Sequence, residues 1–88
     1  MIPKTINRKE VLKAITKANY KFIPRQRRAR HWAVLFEGIH YPVKLLISWA
    51  YEFQKGKEWD SSYFISQEAI HYLKSLGFTI ISIKHHSN

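Results

Sequence analysis

The chain has 88 residues, no cysteine and a formal net charge of +9. That length makes one domain; the missing cysteine excludes a disulfide framework and a thiolate metal site; and no run of about 18 apolar residues exists to span a membrane. The charge is one-sided: residues 1–30 hold ten Lys or Arg against Glu10 alone, whereas residues 31–88 hold five against five.

In chain order, a first helix begins after Asn7, a good N-cap, with Glu10 three residues later as in a capping box. Ile6 and Val11 are placed to form a hydrophobic staple. Val11, Leu12, Ile15 and Ala18 share one face at helical spacing. Lys9, Lys13 and Lys17 share another, where like charges at i,i+4 repel by a few tenths of a kcal/mol per pair. Such a stripe reads as a solvated face or as an anion site. Its continuation into Lys21 and the Arg25–Arg30 cluster favours the anion.

Phe22-Ile23-Pro24 ends this unit, and Arg25, Arg27, Arg28 and Arg30 make a basic connector. His31–Phe36 reads as a buried strand, Glu37-Gly38 as a tight turn and Ile39-His40-Tyr41 as its return strand, together a β-hairpin. Pro42 is suited to the first position of a second helix, Val43–Gln54, which is apolar on nearly every side and therefore central. Gly56 stops it. Residues 57–63 are a connector. Ser66 is the expected cap of a third helix, with Glu68 near its positive end and Ile65 with Ile70 as a second staple. Gly77-Phe78 fits a Schellman ending, and the β-branched run Thr79–Ile83 a last strand.

Histidines His31, His40, His71, His85 and His86 lack metal-ligand spacing, and no serine lies in a nucleophile elbow, so neither a metal, a cofactor nor catalysis is expected. Lys44, in the first turn of the second helix, opposes the helix dipole; it reads as a lysine snorkelling to solvent from a buried helix, or as one that meets a phosphate together with the free amides there. Trp32, Trp49 and Trp59 are all expected in the core, the default for any single aromatic. Trp59, in a connector, is the best candidate for an exposed stacking surface, with Tyr20 beside the basic region as another.

These residues, in order, resemble a known family. The run Asn7–Ile15, then Ile23-Pro24-Arg25, Arg27–Arg30, Trp32–Phe36, Glu37–Lys44, Gly56-Lys57-Glu58, Phe64 and Leu73–Phe78 is similar to the small N-terminal head domain of ScoMcrA-like HNH endonucleases, type IV restriction enzymes that attack modified DNA. The likeness covers roughly residues 7–83. The Ser-Gly-Gly-like stretch common after the family's connector Phe is replaced here by Ile65-Ser66-Gln67-Glu68. The resemblance implies DNA recognition without cleavage.

The expected fold is a small α+β domain, order α-β-β-α-α-β, with about three antiparallel strands packed on helices. It forms a single unit over 1–88, with a core over about 6–84 and a frayed tail at 85–88. The expected function is a cytoplasmic, double-stranded-DNA-binding module of a restriction or defence system, accompanied by a nuclease domain or subunit, with no membrane partner. The expected contacts are Lys9, Lys13, Lys17, Lys21, Arg25, Arg27, Arg28, Arg30, His40, Lys44 and Trp59, the arginines, the lysine stripe and Lys44 forming one continuous patch. An RNA-binding module and a protein-docking module are the alternatives.

Overall fold

The computed structural model describes residues 1–83; the tail at 85–88 lies outside the described residues. Helix α1 spans Arg8–Tyr20. The Asn7 side chain accepts the Glu10 amide at 3.3 Å, and the Glu10 carboxylate accepts the Asn7 amide at 3.1 Å. This is the reciprocal capping box, which satisfies two amides that the helix itself cannot. Ile6 and Val11, the staple pair, are both buried.

A single 3₁₀ turn, Arg25–Arg27, follows. Strands β1 (Trp32–Phe36) and β2 (Ile39–Pro42) form the hairpin. Both turn residues are left-handed, Glu37 at φ 50° and Gly38 at φ 80°, as a two-residue hairpin turn of right-handed strands requires. Pro42 ends β2 and flanks α2, and does not open the helix as expected; the helix is Val43–Lys55. Pro42 still pairs with Ala33 in the sheet register. Its missing N–H costs least where the strand hands over to the helix.

Helix α2 is the hub. Val43, Leu45, Leu46, Ile47, Trp49 and Ala50 are buried, and Gly56 at φ 88° closes the helix. Helix α3 is Ser66–Ser75. Ser66 is already helical and is not the cap. The Glu68 carboxylate accepts the Ile65 amide from within the first turn instead. Ile65 is exposed, so the second staple does not form. The Schellman ending is present: the Phe78 amide reaches the Leu73 carbonyl, and Gly77 sits at φ 90°.

Strand β3 (Thr79–Ser82) completes a three-stranded sheet of order β2-β1-β3, antiparallel throughout. Val34, Phe36, Tyr41 and Ile80 form its helix-facing side. The core starts earlier than residue 6, because Ile2 is buried. The segment before α1 is tied down where the Trp59 indole N–H donates to the Met1 carbonyl at 2.9 Å. The α+β fold and element order are those read from the sequence.

Candidate nucleic-acid interface

The basic connector bends into a wall. The 3₁₀ turn closes where the Arg27 amide donates to the Pro24 carbonyl at 2.9 Å, and the chain then runs into the central strand β1. Opposite this wall stand the first residues of α2 and α3. Between them lies a cleft of about 420 Å³, walled by residues 26–32 of the connector and 42–45 at the start of α2, with Ser61, Ser66 and Gln67.

Arg27, Arg28, Arg30 and Lys44 all reach this cleft. They are not equivalent. Arg27 Nη2 donates to Glu58 Oε1 at 2.8 Å. That hydrogen bond is the main reason the Glu58 carboxyl titrates below its ordinary value, against the opposing pull of partial burial. Arg28 Nε donates to the Ile23 carbonyl at 3.3 Å, and its guanidinium lies 5.8 Å over the Phe22 ring. Lys44 Nζ lies 5.0 Å over the Phe64 ring. The ion pairs among the described residues are Lys17–Glu52, Arg27–Glu58 and the terminal amine with Glu68, so Arg28, Arg30 and Lys44 form no direct salt bridge there. Asp60, close by, titrates below its ordinary value chiefly because the Ser62 amide donates to it at 2.8 Å, with Lys44's charge a smaller cause.

The cleft also collects helix amides. No side chain caps α2. Its first turn therefore offers free N–H groups and the positive end of the helix dipole, and α3 begins on the same cleft at Ser66. This placement resolves the awkward position of Lys44: its cation and the helix terminus favour the same kind of partner, an anion.

Not every expected contact comes here. Lys17 is drawn inward, because the packing of α1 on α2 sets it against Glu52, which it bonds, and 4.3 Å over the Trp49 ring. It is a structural cation. Lys9, Lys13 and Lys21 are exposed but do not line the cleft, and Arg25 stands exposed at its outer edge in sequence. Lys9 precedes Lys17 by two helical turns, about 12 Å along α1, so the expected single patch is a cleft with an outlying lysine flank. His40 is exposed on the edge strand β2, outside the cleft.

The aromatic candidates for a stacking surface change. Trp59 is not a free stacking surface: it is half-buried between Tyr51 and Tyr63, with ring centroids at 4.9 and 5.2 Å, and its indole N–H is taken by Met1. Trp32, expected in the core, is 42% exposed and lines the cleft. The register explains this. Strand β2 ends at Pro42 opposite Ala33, so Trp32 has a β3 partner, Ser82, and none in β2. The readable signal was its position as the first strand residue, two positions after the arginine run ends at Arg30. Tyr20 is 70% exposed at the end of α1.

Among the described residues no group of three or more His, Asp or Glu side chains gathers to hold a metal ion. The arrangement suits a phosphate and an apolar ring side by side, with cations and amides for the first and Trp32 for the second. A family model described as the ScoMcrA-like N-terminal head domain matches residues 4–82. No curated protein and no solved structure matches the chain.

Proposed function

We propose, because the chain belongs to the ScoMcrA-like N-terminal head-domain family and carries a cationic cleft between two helix starts, that it is a non-catalytic DNA-binding module of a restriction or defence system. Cleavage then belongs to an associated nuclease domain or subunit. The observation that carries this reading is the cleft itself: Arg28, Arg30 and Lys44 line it and form no direct salt bridge among the described residues. The duplex backbone crosses the cleft mouth, and Lys9, Lys13, Lys21 and Arg25 extend the contact along exposed surface. Phosphate contacts of this kind set position and affinity and carry no sequence information by themselves.

The test is duplex binding by fluorescence anisotropy over a salt series. Lys17 and Arg27 are committed to Glu52 and Glu58, so up to about seven phosphate contacts remain, for a log–log slope of roughly −6. A slope near zero, or no binding at low salt, overturns the reading.

A further inference from the structure

The cleft is lined by two unlike sets of residues. One set is cationic: Arg28, Arg30 and Lys44. The other is apolar: Trp32, with Pro42 and Val43 buried at the start of α2. At about 420 Å³ it falls in the roughly 300–1,000 Å³ range of small-molecule sites. A recess of that size receives one nucleotide and cannot admit a duplex. A nucleotide carries groups that match both sets, an apolar ring with π-faces and a charged phosphate. Trp32 is also a large aromatic left 42% exposed at the rim, although strand alternation puts it on the core side of the sheet. Among the described residues, no aromatic ring or cation is stacked on it.

We infer that this cleft receives a single unstacked nucleotide of the bound DNA, its base against Trp32 and its phosphate among Arg28, Arg30 and Lys44. The inference rests on the DNA-binding reading and adds to it a preference for DNA in which one base is already free of the stack. Extracting a paired base costs unstacking and unpairing energy, and that cost is least where the base has no partner. The module therefore favours a duplex with one unpaired nucleotide over a fully matched one, and it reads local disorder in the helix where the phosphate contacts alone cannot.

The experiment compares a matched duplex with the same duplex carrying one unpaired adenine, at fixed salt, for the wild type, Trp32→Ala and Trp32→Tyr. The wild type is expected to bind the bulged duplex about tenfold more tightly than the matched one. Trp32→Ala is expected to bring that ratio to within about twofold, and Trp32→Tyr to restore most of it. A fluorescent adenine analogue in the bulge is expected to be quenched on binding the wild type and not on binding Trp32→Ala, a readout that a folding defect common to both ligands does not mimic. Single-stranded DNA and free deoxyadenylate form two further arms. Deoxyadenylate displacing the bulged duplex at millimolar concentration supports the cleft as a nucleotide site. A ratio near one for the wild type, with no quenching, overturns the inference even when the salt slope stands. Single-stranded RNA bound more tightly than the bulged DNA also overturns it.

Discussion

Ser48 and Trp59 hold each other through two hydrogen bonds. The Ser48 hydroxyl donates to the Trp59 carbonyl at 2.6 Å, and the Trp59 amide donates to the Ser48 carbonyl at 3.4 Å. Ser48 is the one fully buried polar side chain among the described residues, and it lies on the central helix. The pair fixes the connector after α2 against the core and so places Glu58, the residue just before Trp59, within reach of Arg27.

Ser48→Ala therefore leaves a carbonyl without its partner inside the fold. The expected loss is about 1–3 kcal/mol, read by chemical denaturation. A loss below about 0.5 kcal/mol, the range of an ordinary surface change, means the connector is not anchored there.

Glu58 supplies a pH test with a definite sign. Arg27's hydrogen bond holds its carboxyl below the ordinary 4.5. The unfolded chain then binds the proton more tightly, so the pair's stabilisation is present above about pH 4.5 and is lost as pH falls through the lower folded value. The difference in melting temperature between wild type and Glu58→Gln should be constant near neutrality and shrink on acidification. Glu58 is partly exposed, so solvent screening keeps the neutral-pH difference below about 1 kcal/mol. The same variant frees Arg27 for DNA and should bind duplex more tightly. A difference that grows on acidification contradicts the assignment.

The double change Arg28→Ala with Arg30→Ala separates binding from folding. Neither residue has a carboxylate partner among the described residues. It should weaken duplex binding and reduce the magnitude of the salt slope by about 2, one unit per lost phosphate contact. Stability should move by no more than about 0.5 kcal/mol per exposed site. Lys55→Ala, in the last turn of α2 and outside the cleft, is the control and should leave binding near that of the wild type. Equal effects from Lys55 and the arginine pair would indicate undirected charge.

The hairpin turn is a place to gain stability. Glu37 is left-handed at φ 50°, a conformation costly for an ordinary side chain and easier for asparagine. Glu37→Asn, which makes the favoured Asn-Gly turn, should stabilise by on the order of 1 kcal/mol, measured as a higher melting temperature with DNA affinity little changed. A destabilised variant would mean that Glu37 has a role beyond the turn.

Much of the fold was legible because its signals are local. The Asn7–Glu10 box, the Glu37-Gly38 turn, the Gly56 stop and the Gly77-Phe78 ending each depend on residues within one turn of each other, and backbone chemistry at that range is written directly in the chain. The all-round apolar pattern of α2 likewise dictated its burial. The confinement of charge to the first thirty residues was equally plain.

The site was decided elsewhere, by distances across the fold. Whether a lysine is a free cation depends on which carboxylate a second helix brings to it, and Glu52 comes to Lys17 from 35 residues away. Whether a tryptophan is exposed depends on strand register: β2 stops at Pro42, leaving Trp32 open, while Tyr51, Tyr63 and Met1 close around Trp59. Residue type and spacing along the chain determined the elements and the sign of the surface. Only the packing of α1, α2 and the sheet decided which charges and which aromatic ring face outward together, because pairing and burial are properties of neighbours in space that the order of residues does not specify.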